Sequence, residues 1–398
     1  MLRIEKTSTP PSFALFELGF RPFFSAAAAF AILAIGLWMA MFVFAVPWVR
    51  PAITGVLWHG HEMVFGYAMA VIAGFLLTAV GNWTGVPGKR GATLAGLLAA
   101  WALARLAFFL PVDSALLVAA LADSAFTLGL IAAVAQPVMQ TRQRQQLGII
   151  AILCLLLLVN VVYYAGVLGY LADGGFRGLY LGFYLVLVLV FTMARRVVPF
   201  FIERGVEEPF KPRHRRWLDI GSIALFLAWA MIDVFRGAGA LIGVLSVVLF
   251  LLHLLRMRDW FTPGILSKPL LWSLYLGYGF LVLGFLLKAL SVWSSVPATL
   301  AVHAFAFGGI GLITLGMMSR VSLGHTGRNV FDPPGTLPPM FALLIAGALT
   351  RVVAPLVDWA HYTVWIGVSQ ALWMLAFGFF LTVYLPMLVR PRVDGRRG

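Results

Sequence analysis

The sequence predicts an all-α, polytopic integral membrane protein of about twelve transmembrane helices with both termini cytoplasmic. Three observations carry that expectation. Hydrophobic residues make up 62% of the 398 positions and charged residues only 11%, whereas soluble domains run near about 45–50% apolar. Runs of about 20 apolar residues recur along the whole chain, the length that crosses roughly 30 Å of hydrocarbon. With the N-terminus placed in the cytoplasm, 23 of the 29 Lys and Arg residues fall in the tails, the cytoplasmic loops or, for Arg195 and Arg196, the cytoplasmic end of a span, the asymmetry that the positive-inside rule requires.

The elements follow in order. Span 24–46 comes after a tail bearing Arg3, Lys6 and Arg21. No small-residue cleavage site follows it, and it is too long for a signal-peptide core, so it reads as a retained span. Span 58–80 opens on "WHGHEMVFGY". Spans 92–110 and 113–134 contain Arg105 and Asp123, and the sequence names no partner for the latter. Span 147–170 contains Cys154, the single cysteine, read as a small buried hydrophobe. One cysteine excludes an internal disulfide, C-x-x-C redox chemistry, a thiolate zinc cluster and C-x-x-C-H haem attachment.

Span 178–198 leads into the longest connection, "PFFIERGVEEPFKPRHRR" (199–216), a basic cytoplasmic loop dividing the chain into two sets of six. His214 in that loop is read as solvated or facing lipid headgroups. No sequence repeat relates the halves. Spans 217–235 and 237–255 are separated by little more than "RGAG". Spans 270–290, 297–319 and 337–357 contain Lys288, His303 and Arg351, and span 362–388 follows a short loop holding His361. The outer loops carry only Arg50, Arg177 and Arg236, so the +14 net charge reports orientation and gives no reason to expect nucleic acid.

Sidedness sorts the histidines. His59 and His61 open the second span, and His303 lies two turns into the tenth, roughly 9 Å along its axis. All three are expected in the outer third of the membrane, with His361 on the same side nearer water. His253 and His325 belong to the cytoplasmic side. Histidines inside membranes either coordinate metal or haem, relay protons, or are simply hydrogen-bonded. In a regular helix, positions i and i+2 point about 200° apart. So either His59 and His61 chelate one copper from a non-helical entry at Gly60, or the two rings serve different centres.

Met63, four residues after His59, offers a thioether that suits copper, although methionine in such a helix also serves as packing. Glu62 is placed to orient a ligating imidazole, or to pair with an intramembrane base. Arg105 or Arg351 could hold an anionic ligand such as haem propionates; the alternative is an internal salt bridge to Glu62 or Asp233. Ala304, Gly308 and Gly311 lie along one helix face, open to a neighbouring helix or to a flat macrocycle. "GHTGR" is a glycine-bracketed cytoplasmic turn that could bind a phosphate or headgroup, or supply His325 as a ligand.

"GFRPFF" (19–24), "WHGHEMVFGYAMAVIAGFLLTAVGNWTG" (58–85), "RRVVPFF" (195–201), "LLHLLRMRDW" (251–260) and "HAFAFGGIGLITLGMMSRVSLGHTGR" (303–328) together resemble the NnrS family of bacterial membrane proteins. The resemblance runs over nearly the whole chain. It implies a twelve-helix protein of the bacterial inner membrane containing haem b and copper, associated with the response to nitric oxide and nitrosative stress. The family positions His59, His61, Glu62, His303, His325 and Arg328 are intact. "RRVVPFF" departs from the family pattern, which more often has glycines before the arginine and threonine after the phenylalanine pair.

Three functions compete. The first is a haem- and copper-binding protein that binds nitric oxide, converts it or relieves its effects, with quinone as a candidate electron donor. It is not a complete haem–copper oxidase, which wants about six histidines on one side where the outer side here has four. The second is a secondary transporter in which Arg105, Arg351 and Lys288 bind a small anionic substrate. Against it, "GNWTGVPGKRG" lacks the aspartate typical of carriers after the second span, and H-x-H has no role. The third is a lipid- or quinone-interacting subunit.

Overall fold

The computed structural model describes residues 13–46, 53–110, 112, 114–237 and 239–396. Arg3, Lys6, Arg50 and Arg397, which enter the orientation argument, lie outside them. Every regular element among the described residues is helical. In chain order the helices are α1 Phe20–Phe42, α2 Gly55–Thr84, α3 Ala92–Ala107, α4 Ala115–Gln140, α5 Leu147–Val167 and α6 Gly174–Gly205. They continue as α7 Arg216–Arg236, α8 Ala240–Trp260, α9 Pro269–Trp293, α10 Ala298–His325, α11 Leu337–Val357 and α12 Tyr362–Val389. Eleven of these are long and apolar enough to cross a membrane; α3 is shorter, at 16 residues. The chain is a multi-pass membrane protein.

The two ends of the chain meet on one side. The Ala14 amide donates to the Val389 carbonyl at 2.8 Å. The Arg21 guanidinium donates to the carbonyls of Leu388 and Arg390, each at 2.8 Å, taking up acceptors that the last turn of α12 leaves unpaired. Ends that meet require an even number of crossings. Ion pairs Lys268–Glu207 (2.7 Å) and Arg215–Asp259 (2.5 Å) likewise join loops that the charge rule assigned to one face.

Helix α6 runs through Pro199 to Gly205, so the first part of the expected 199–216 loop is helical. Val198 and Ile202, one turn apart, stay buried and carry the apolar stripe past the proline. Cys154 is exposed on α5 and not buried; on a membrane helix the outward face is hydrocarbon, and a thiol is as acceptable there as in a core. His325 closes α10 and does not sit in a loop.

The two spans that open with outer-side histidines are the most enclosed. In α2 the central window is 83% buried and in α10 72%, against 33% for α7 and α12. Both contain a wide π-helical segment, Glu62–Ala68 in α2 and Ala304–Gly311 in α10. Such segments bulge the helix and turn some backbone carbonyls outward. In α2 the carbonyls of Phe65 and Gly66 accept from Arg105 (3.1 Å) and from the Trp101 indole (3.0 Å) on α3. In α10 the glycines serve close packing. A Cβ at Gly308 or Gly309 would collide with Phe280 or Leu281 of α9, and one at Gly311 with Trp373 of α12.

Candidate ligand cavity in the outer half

Helix α2 is regular through His61, so the H-x-H rings point to different places. His59 faces a cavity of about 210 Å³ enclosed by α1, α2, α6, α10, α11 and α12. His61 turns away from it into the interface with α3, α4 and α5.

The cavity takes one side chain of chemical interest from each of several helices. His59 stacks flat on Trp38 of α1, centroids 4.7 Å apart and 3° from parallel. Its Nδ1 is buried without a hydrogen-bond partner among the described residues. Met63 lies one turn below on the same lining. From α10, His303 donates through Nδ1 to the Thr299 carbonyl at 2.8 Å. That bond fixes the tautomer and turns the Nε2 lone pair, the one a ligating imidazole would use, inward to Arg351. Arg351 of α11 donates to His303 Nε2 at 3.2 Å and leans on the Tyr362 ring. Among the described residues no carboxylate pairs with Arg351.

Gln370, from α12, is the residue the sequence reading missed. It is 4% exposed, lines the cavity, and neither amide atom has a hydrogen-bond partner among the described residues. A buried amide left unpaired costs about 1–3 kcal/mol, so a side chain placed this way invites a ligand or water to complete it. One glutamine in "VSQALW" gives no periodicity or motif to mark it. Only the fold turns it inward. Apart from Thr299, Ser369 and the tyrosine hydroxyls, the rest of the wall is apolar and aromatic, including Phe183, Phe307 and Trp373.

His61 occupies a buried polar cluster of its own. Its Nδ1 lies 2.8 Å from Glu62 Oε1, and its Nε2 lies 3.0 Å from Asn160 Oδ1 and 3.5 Å from Asp123. Arg105 bridges Glu62 (2.7 Å) and Asp123 (2.6 Å), and the Tyr164 hydroxyl donates to Asp123 at 2.8 Å. Both imidazole nitrogens are thus engaged by protein groups, and the Arg105 charge is met by two carboxylates. Asp123 of α4, which had no partner in the sequence, meets residues of α2, α3 and α5.

The remaining candidates lie elsewhere. Lys288 pairs with Asp233 at 2.6 Å, and Tyr184 donates to the same carboxylate at 2.5 Å, so Asp233 is partner to neither Arg105 nor Arg351. His253, late in α8, sits between the rings of Phe191 (4.5 Å) and Phe285 (5.3 Å), with Nδ1 2.5 Å from the Tyr278 hydroxyl. His325 packs on Phe20 at the corner where the chain ends meet, and Arg392 donates to its carbonyl at 3.1 Å. His361 is exposed in the outer loop, where its hydrogen bond to Asp358 (2.9 Å) holds that carboxyl below the usual range. His214 is exposed, as expected.

The structure therefore brings together His59, His303, Met63 and Arg351, and separates them from His61, Glu62, Arg105, His253 and His325. Among the described residues no three His, Cys, Asp or Glu side chains converge as a ready metal cage. The cavity's donor set is two imidazoles and a thioether beside an arginine and an amide.

The family model described as "NnrS protein" matches residues 14–392, nearly the whole chain. No curated protein matches it.

Proposed function

The chain belongs to the NnrS family, and from that premise we propose that it is a haem- and copper-binding protein of the bacterial inner membrane acting in the response to nitric oxide. In this reading the outer cavity holds the metal group. The observation that carries it is the convergence of His59 and His303, from the two most enclosed spans, on one aromatic-walled cavity.

The residues fit such a group. Imidazole and thioether donors suit copper, and imidazole is a common axial ligand to haem iron. Thr299 fixes the His303 tautomer, and its Nε2, which accepts from Arg351, would become the ligating atom once Arg351 turned to an acidic group of the ligand. Trp38 holds the His59 ring flat against it. Arg351, free of any carboxylate, can take an acidic group such as a propionate by paired N–H donors. Gln370 can offer an N–H or accept one. Bound haem or copper would supply a site for a small ligand such as nitric oxide and for one-electron transfer, with a membrane quinone as the candidate donor. His61, Glu62 and Arg105 hold α2 in register against α3, α4 and α5.

A carrier for small anions gains little from the same geometry. Two of its three cations, Arg105 and Lys288, are already paired with carboxylates.

Absorption spectroscopy and metal analysis of purified wild type, His59→Ala and His303→Ala test the reading. Wild type should carry haem and copper, and each variant should insert but lose at least one of them. Wild-type protein without either, after haem-replete expression in copper-supplemented medium, contradicts it.

A further inference from the structure

Below the histidine cavity lies a second space of about 90 Å³, on the cytoplasmic side of mid-membrane. The two share lining residues Ala68, Val186 and Ile310, one from each of α2, α6 and α10. These three helices line both spaces with side chains three or four residues apart, so one stripe on each helix continues from the outer cavity into the inner chamber. Tyr67 of the cavity and Thr314 of the chamber are hydrogen-bonded across the junction at 2.6 Å.

The chemistry of the chamber restricts what it can hold. Thr314 is its one polar side chain, and its hydroxyl already donates to the Ile310 carbonyl (2.6 Å) while accepting from Tyr67. Nothing is left to bind an ion or to give a water the two to four partners it needs, and apolar cavities of this kind stay dry and take up xenon or small hydrocarbons. Since about 10–15 Å³ in this measure accommodates one water-sized body, the chamber has room for several diatomic molecules.

We propose that this chamber binds small uncharged apolar molecules of diatomic size and passes them through the Ala68–Val186–Ile310 neck to the histidine cavity. The neck is formed by a small, a medium and a large apolar side chain, so its width follows from side-chain volume at those positions. The delivery step rests on the reading that the outer cavity holds a metal group; the binding step does not.

The test uses full-length protein and two variants at one position. Xenon-pressurised crystals should show xenon in the wild-type chamber. Val186→Trp should lose it, and Val186→Ala should keep it. Carbon monoxide rebinding after flash photolysis of the reduced, metal-loaded protein should slow in Val186→Trp and quicken in Val186→Ala. A chamber filled by ordered water or a lipid chain, or without xenon in wild type, overturns the proposal. So do rebinding rates unchanged in both variants. If wild type binds neither haem nor copper, the functional reading fails, while xenon occupancy still judges the chamber. Val186→Ala, which removes volume without crowding, keeps the test decisive if Val186→Trp does not fold.

Discussion

His59 and His61 stand two residues apart in one helix and have different roles. His59 has an unpaired ring nitrogen facing a cavity; His61 has both nitrogens held by Glu62 and Asn160. Their substitutions should separate accordingly. His61→Ala and Asp123→Ala each break a buried charged cluster, and losing one partner of such a cluster costs about 3–5 kcal/mol. Both should lower the thermal unfolding midpoint in detergent, whereas His59→Ala should leave it close to wild type. Gln370→Leu should behave in the opposite sense. It removes an unpaired buried amide, so the ligand-free protein should be no less stable and could gain about 1–3 kcal/mol. The same variant should bind the cavity's ligand more weakly, which titration calorimetry or spectral titration would reveal.

What the residues disclosed in advance follows the same division. Sidedness was enough to group His59 and His303, because alternating spans and the Lys/Arg bias fix depth and face. The i, i+2 geometry left two options for H-x-H, and the helical start of α2 points the two rings to different places. Arg105 with Glu62 was among the pairings considered. Asp123 as the second partner of Arg105 was not, since contact across α2, α3 and α4 depends on helix rotation that hydropathy does not encode. Gln370 was silent for the same reason.

Among the elements, the close pairs α5–α6 and α9–α10 depend on glycines where backbones touch. At Gly178 a Cβ would fall on the backbone of Tyr163, with no flexible side chain able to move aside. Gly178→Val should therefore cost about 1–3 kcal/mol as overpacking does, and more if α5 is pushed off α6. The measure is the detergent unfolding midpoint, with Gly148→Val as a control at an open position. The π-helical segments were invisible in sequence. Glycine-rich "FAFGGIG" and "EMVFGYA" show no feature that separates a π turn from an α turn, and the cause lies in tertiary contacts such as those of Trp101 and Arg105 with the Phe65 and Gly66 carbonyls. The loop after α6 was overestimated because Pro199 and Arg204 look like an ending, while burial of Val198 and Ile202 continues the helix.

For the whole molecule, the twelve long helices among the described residues bring Ala14 and Val389 together and place the histidine cavity towards the opposite face. Topology follows directly. A reporter fused at the C-terminus, or inserted at Glu208, should behave as cytoplasmic, and one inserted at His361 as external. An external C-terminal reporter would contradict the orientation, and termini reported on opposite sides would break the even count that the Ala14–Val389 contact requires. The central claim is that the metal group of this NnrS-family chain lies in the outer cavity, and anomalous diffraction at the iron and copper edges tests it most directly. The account predicts anomalous density between His59 and His303, beside Arg351 and Gln370. Density at His253 or His325, or in the His61–Glu62–Asp123 cluster, would contradict it.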